Sequence, residues 1–296
     1  MEPAAATADL PSGVAGVNRF WIGLFVIWPM AAVGSCLIAP QMGWWFPAGS
    51  PQAPGQAASP LGVQIDDLFH LILIVTTITF IGVHIALGYV LWQGVRNRAD
   101  PNYRALFTHG SHNLEVIWTI VPAGVLLFIA LYQMDVWAQF RIQANFPEQA
   151  TKSPVAEVMA RQFEWRIRYP APGKQLKLTP QPDDLYTVDD LHVPAGRPVL
   201  IQLRTMDVQH SFFIPEMRIK QDAVPGLAIP VWFEASRQDK FDLVCAELCG
   251  WGHYKMNARV WAQSDEDYNS YLRALQQEQF DDGVDQEPGE TVASDE

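Results

Sequence analysis

From Leu68 to Val95, and again from Val116 to Met134, the chain contains no Asp, Glu, Lys or Arg. A helix needs about 20 apolar residues to cross a bilayer. The pattern therefore predicts membrane helices over 67–95 and 113–140. Two buried core helices of a soluble domain are the plainer alternative, but charge-free runs this long are rare there. After Arg141 the period changes. Short alternating segments follow: Ala156 to Tyr169, Pro198 to Arg204, Ile229 to Ala235 and Phe241 to Cys245. Turns such as Pro170-Ala-Pro-Gly and Pro194-Ala-Gly punctuate them. Many short strands between regular turns predict a β-sandwich or barrel over 150–263, long enough for one core. Ser264 to Gln279 reads as a short amphipathic helix with Tyr268, Tyr271 and Leu272 on one side.

Charge orients this scheme. The connection 96–112 carries Arg96, Arg98 and Arg104 against Asp100, which predicts a cytoplasmic loop and places everything after residue 140 outside. In a bacterium this means a multi-pass protein of the inner (plasma) membrane with its sandwich on the periplasmic side. His70 and His84 lie within the first span, and burial against partner subunits is their expected role. At the N-terminus (1–40), Phe20 to Pro40 is an apolar run behind Arg19. It includes Val33-Gly-Ser-Cys36, which resembles a lipoprotein cleavage box, so Cys36 is a candidate for lipidation. A removed targeting segment and a third membrane helix are equally open. Residues 41–66 are rich in Pro, Gly and Ala and read as an external connector.

Composition fits a membrane protein, with 49% hydrophobic and 18% charged residues. The net charge of −12 is uneven. Residues 150–263 hold 14 basic and 13 acidic side chains, whereas 264–296 hold 11 acids and one Arg. The acidic end reads as a solvated tail, with steering of a basic donor protein as its functional alternative. Asp183, Asp184, Asp189 and Asp190 form a second acidic cluster. No basic stripe points to nucleic acid.

The chemistry concentrates in Cys245-Ala-Glu-Leu-Cys249-Gly-Trp-Gly-His253-Tyr-Lys-Met256, with a further imidazole upstream in Asp207-Val-Gln-His210-Ser211. Soft sulfur with borderline nitrogen is the donor set copper prefers. A structural zinc site has no use for Met256. A simple disulfide leaves the neighbouring His residues unexplained.

Cys-x-Glu-x-Cys-x3-His-x2-Met after Asp-Val-x-His-Ser resembles the dinuclear CuA centre of cytochrome c oxidase subunit II. Lys220-Gln-Asp222-Ala-Val-Pro225-Gly226 matches a further segment of that family, and the resemblance spans roughly residues 67 to 275. It implies a membrane α-helical hairpin followed by an all-β, Greek-key sandwich of cupredoxin type. By resemblance, Cys245 and Cys249 bridge two coppers, and His210 and His253 bind one copper each. Met256 and the carbonyl of Glu247 are weak ligands, and the Glu247 carboxylate reaches a Mg2+ shared with subunit I. Glu115, in Glu-x-x-Trp118-Thr119, corresponds to an acid at the mouth of a proton pathway into subunit I. As a helix N-terminal acid it also suits the macrodipole.

The family implies a proton-translocating oxidase. Electrons from cytochrome c or a similar donor enter at CuA and pass to haem in subunit I, where oxygen is reduced to water. Two coppers sharing one electron in a rigid sandwich suit fast transfer. Implied partners are subunit I, other oxidase subunits, the membrane and the donor. One departure stands out. The family shows Gln-Trp-x-Trp, its first Trp at the point of electron entry, whereas this chain has Gln162-Phe163-Glu164-Trp165. Phe163 and Trp165 are thus the entry candidates, and a different donor or docking pose is expected. With no Cys-x-x-Cys-His the chain carries no c-type haem motif, so the donor is a separate protein. A quinol-oxidase subunit would lack these ligands. A CuA-bearing nitric oxide reductase subunit and a membrane-tethered copper chaperone are the remaining alternatives.

Overall fold

The computed structural model describes residues 12–39, 42, 44, 56–98, 102–104, 109–151 and 153–281. Residues 1–11, much of the 41–66 connector, parts of the 96–112 loop and the acidic tail beyond Asp281 lie outside the described residues. Three long helices come first: α1 (Ser12–Ile38), α2 (Pro60–Arg98) and α3 (His112–Arg141). α2 and α3 are long and apolar enough to cross a membrane, and they leave large side chains such as Ile74, Ile85, Val121 and Leu126 exposed. α2 begins at Pro60 rather than at 67. A proline in the first helical turn sacrifices no hydrogen bond, since its N–H would be unpaired there anyway. Gln64, Asp66 and Asp67 then continue the helix in polar turns that a search for charge-free runs does not detect.

The chain divides into two units. The first contains α1, most of α2 and the start of α3. Within it, Phe25 of α1 stacks on His84 of α2 with ring centroids 5.4 Å apart. His84 also bonds through Nδ1 to the Phe80 carbonyl at 2.8 Å. The Val33–Cys36 segment lies inside α1, and Cys36 lines an apolar groove with Leu73, Thr76 and Phe80.

The second unit contains the start of α2, the rest of α3, a short α4 (Glu148–Thr151) and ten strands. These are β1 (Ala156–Arg161), β2 (Glu164–Tyr169), β3 (Leu185–Val188), β4 (Asp190–Pro194) and β5 (Val199–Thr205), then β6 (His210–Ile214), β7 (Ile219–Ala223), β8 (Ile229–Phe233), β9 (Asp239–Cys245) and β10 (Asn257–Gln263). They form two five-stranded sheets, ordered β3-β2-β1-β5-β8 and β4-β10-β9-β6-β7. Each is mixed, with β1–β5 and β10–β4 parallel and the other pairs antiparallel. Alternation sorts the side chains: Phe241, Leu243 and Cys245 of β9, and Ala258, Val260 and Ala262 of β10, are buried. Trp165, Ile167, Phe212, Phe233 and Phe241 fill the core, each large side chain contributing about 1.5–3 kcal/mol by burial.

Two side chains pin the helix ends of this unit to the sandwich. Arg218 pairs with Asp66 at 2.8 Å, and the Trp232 indole donates to the Gln139 carbonyl at 2.9 Å. α5 (Asp265–Asp281) follows β10. Ser264 caps it by accepting from the Asp267 N–H at 3.0 Å. Its Tyr268, Leu272 and Leu275 are buried, and Tyr271 stacks on His192 at 3.5 Å.

Candidate metal centre

The ligand-type residues converge because three adjacent strands end together. His210 opens β6, Cys245 closes β9 and Met256 immediately precedes β10. Phe212 pairs with Cys245 across β6–β9, and Asn257 with Val244 across β9–β10. Backbone bonds close the frame: the Cys245 N–H donates to the Met256 carbonyl at 3.1 Å, and the Ala246 N–H to the Ser211 carbonyl at 3.0 Å. The loop 246–256 is thus a hairpin connection whose ends are fixed by the ladder. Gly250 follows Cys249 at φ +139°, a conformation glycine adopts without strain. A short 3-10 turn, His253–Lys255, then returns the chain to β10.

The donor atoms follow one another at short distances. His210 Nδ1 is 3.8 Å from Cys245 Sγ, which is 3.8 Å from Cys249 Sγ, which is 3.6 Å from His253 Nδ1. Met256 Sδ lies 3.8 Å from Cys249 Sγ, and the Glu247 carbonyl oxygen 3.2 Å from Cys245 Sγ. His210, Cys245 and Cys249 bring their ligand atoms within 4.8 Å of one another, and His210 is fully buried. Each imidazole faces a different sulfur, with the thiols in the middle and a thioether and a carbonyl at the flanks. Two soft cations sharing the thiolates match this set, whereas a single tetrahedral zinc would gather both imidazoles and both thiols about one centre.

Electrostatics set the site up for metal. Burial pushes the Cys245 thiol up, but bonds with His210 and with the Glu247 and Ser211 backbone outweigh it, so its pKa falls. Burial and then the charge of Cys245 push the Cys249 thiol up. The two thiols thus differ in their hold on a proton, and a metal held by both sulfurs would displace any proton they carry. Asp207 orients the far side of His210. Its Oδ1 lies 2.9 Å from Nε2, and a carboxylate only accepts, so Nε2 carries a proton and Nδ1, on the sulfur side, is the ring atom available to a metal. Burial works against this carboxylate, but hydrogen bonds from the Gln162 and Val208 N–H groups and from His210 hold its pKa below the usual range.

The other sequence candidates divide between the two units. Phe163 packs partly buried against the ligand loop, and Trp165 is fully buried with its ring edge-on to His210 at 6.3 Å. Glu247 is half-buried in the loop. Glu115, in the first turn of α3, and Cys36, in α1, belong to the helical unit, whereas the cluster belongs to the second unit. Sequence reasoning assigned no role to Asp207, Gln162 or Trp251. Asp207 stands three residues before His210. Gln162 donates to the Cys249 carbonyl at 2.6 Å and, through its backbone N–H, to Asp207 at 2.8 Å. A tryptophan among the ligands of one loop was the available signal for Trp251.

Comparison with known proteins matches the same two regions. Residues 52–136 fit the family model for the transmembrane domain of cytochrome c oxidase subunit II, and residues 168–262 that for its periplasmic domain. The chain is 31% identical over 266 residues to an alternative cytochrome c oxidase subunit 2 of Bradyrhizobium diazoefficiens, covering 82% of this chain and 88% of that one. It is 31% identical over 255 residues to a cytochrome c oxidase subunit 2 of Cereibacter sphaeroides, covering 76% and 81%. Among solved structures, the periplasmic domain of cytochrome oxidase subunit II of Bradyrhizobium japonicum aligns at 23% identity and TM-score 0.37, over 42% of this chain and 93% of that one.

Proposed function

The chain belongs to the cytochrome c oxidase subunit II family, and from that premise we propose that His210, Cys245, Cys249, His253, Met256 and the Glu247 carbonyl hold a dinuclear copper centre of CuA type. The protein is a membrane-anchored subunit of a respiratory haem–copper oxidase, an oxidoreductase, with a copper-binding domain on the periplasmic side. The observation that carries the ligand assignment is the succession of short contacts from His210 to His253, with each sulfur within 3.8 Å of its own imidazole.

What the copper pair supplies when bound is one-electron storage spread over two metals and two thiolates. The rest falls to the chain. Cys245 is held in the sheet, and the Cys249 carbonyl is held by the Gln162 side chain at 2.6 Å, which limits how far the two sulfurs can shift. Asp207 and the buried position of His210 fix one imidazole. Met256, almost fully buried, closes the inner side to water. A site that moves little on gaining an electron has little reorganisation to overcome.

The finer assignments complete this reading. The subunit accepts electrons from cytochrome c or a similar separate donor and passes them to haem in subunit I, where oxygen is reduced and protons are pumped. The Glu247 carboxylate shares a Mg2+ with subunit I. Glu115 stands at a proton-uptake mouth. α2 and α3 form a hairpin in the bacterial inner membrane with loop 96–112 in the cytoplasm.

Metal counting with electron paramagnetic resonance on the copper-loaded full chain tests the centre. Two coppers sharing one unpaired electron are expected. One copper per chain, or a preference for zinc, removes the electron-transfer reading.

A further inference from the structure

Building on the copper reading above, we propose that Trp251 is the residue through which a donor haem protein delivers electrons to this subunit. The two aromatic positions that sequence reasoning favours do not present an open ring to a partner. Trp165 is fully buried, and Phe163 is partly buried against the loop. Phe163 lies so close to the loop backbone that a Cβ on Gly252 would stand 2.5 Å from its ring. The open ring of this aromatic group is Trp251, 76% exposed.

Trp251 is also placed for coupling. It lies two residues from Cys249 and two from His253, so a covalent path of a few backbone bonds joins its indole to either ligand. Its ring is held without any partner. Phe163 meets it edge-to-face at 5.6 Å and 65°, and the Lys255 ammonium sits 4.8 Å from the ring centroid. A large π-surface fixed in advance loses little freedom when a partner lands on it. Leu248 (80% exposed) and Tyr254 (81%), each three residues from Trp251 on the same loop, add further exposed apolar surface to that loop.

The chemistry of this patch selects the occupant. A small, apolar, aromatic-centred surface over a redox site suits a haem protein that offers an exposed haem edge in a brief encounter. Electron-transfer complexes lie at the small end of interface sizes, and tryptophan is prominent among the residues that dominate binding. Lys255 favours the transient donor over the permanent neighbour, subunit I. An exposed ammonium at the patch stays hydrated in a wet encounter, whereas a permanent interface would have to bury and pair it. In the step itself, one electron leaves the donor haem, which is oxidised, and reduces the copper pair. No bond forms, no proton moves, and the indole supplies coupling without itself being oxidised.

The test uses the assembled oxidase carrying Trp251→Ala, Trp251→Phe or Trp251→p-benzoylphenylalanine, with a reduced soluble mono-haem cytochrome c as probe. In stopped flow at low ionic strength, Trp251→Ala is expected to slow electron delivery at least tenfold and Trp251→Phe by less. Copper content, the paramagnetic spectrum and the internal rate from copper to haem should stay unchanged. On illumination the benzophenone variant is expected to cross-link to the cytochrome. Unchanged delivery in Trp251→Ala, cross-linking to subunit I alone, or no cross-link at all overturns the proposal. These outcomes leave the copper reading standing, because that reading fails only if the unaltered protein lacks two coppers.

Discussion

His210 presents its two ring nitrogens to opposite tasks: Nε2 is bonded to Asp207 Oδ1 at 2.9 Å, while Nδ1 faces Cys245 Sγ at 3.8 Å. The carboxylate thereby selects the tautomer and holds the ring plane. Asp207 is itself held by the N–H groups of Gln162 and Val208, at 2.8 and 2.7 Å. A chain of hydrogen bonds therefore runs from the β1–β2 turn to a proposed copper ligand.

Replacing Asp207 by Ala removes the acceptor and frees the imidazole to rotate or to protonate the wrong nitrogen. Copper affinity is expected to fall about 10–100-fold, the usual effect of losing a ligand-orienting partner. Competition against a calibrated chelator measures it. Unchanged affinity would mean that burial alone holds the ring.

Met256 is 2% exposed with its sulfur 3.8 Å from Cys249 Sγ. Met256→Leu keeps nearly the same volume, so it should cost less than about 1.5 kcal/mol of stability. Two coppers are expected to remain while the reduction potential moves, read by potentiometric titration. Loss of a copper would make the thioether a principal ligand rather than a weak one.

Much of this architecture is legible in the sequence because two physical periods are so plain. Charge-free runs mark α2 and α3, and period-2 alternation in segments such as 241–245 marks β9. The candidate ligand set is legible because Cys245, Cys249, His253 and Met256 sit four, four and three residues apart in one hairpin loop. Other features depend on tertiary packing. Nothing local announces that Asp207 points at the imidazole of His210, that Gln162 reaches the Cys249 carbonyl, or that Phe163 lies against Gly252. The last two of these contacts join segments about 90 residues apart, and the packing of Phe163 bears on which aromatic ring stays open to solvent. The N-terminal run was ambiguous for a different reason. A targeting segment and a membrane helix share one composition, and only the packing of Phe25 on His84 reveals what that helix touches.

A buried ion cluster joins β1, β2 and the residue before β3. Arg168 of β2 bonds to Glu157 at 3.1 Å and to Asp184 at 2.5 Å, all three side chains being at most 5% exposed. Arg168→Met leaves buried Asp184 without a cation and Glu157 with only the Arg204 pair at 3.6 Å, and the expected loss is about 3–5 kcal/mol. Adding Glu157→Gln and Asp184→Asn should restore part of it. Chemical unfolding of the full chain in detergent, followed by tryptophan fluorescence, reads both. A loss equally large in the triple variant would show that packing of the arginine stem, not charge pairing, carries the effect.

The contact between Phe163 and Gly252 gives the most selective prediction. Gly252 has φ −88°, an ordinary conformation, so Ala is excluded by space alone. A Cβ there would meet Phe163 Cδ2 at 2.5 Å and Cγ at 2.6 Å, well inside van der Waals contact. Gly252→Ala should therefore cost about 1–3 kcal/mol and loosen the turn that carries His253, lowering copper retention. Phe163→Ala removes the obstacle and leaves a partly solvated gap, with a modest cost of its own. If the clash is the mechanism, the double variant is more stable than the sum of the single effects predicts, by about 0.5–3 kcal/mol. It also regains copper relative to Gly252→Ala. Unfolding midpoints and copper counts of the four proteins decide the matter. Strict additivity would mean that the glycine is required by the loop backbone and not by the ring, and Phe163 would then lose its role as the support beneath the metal-binding turn.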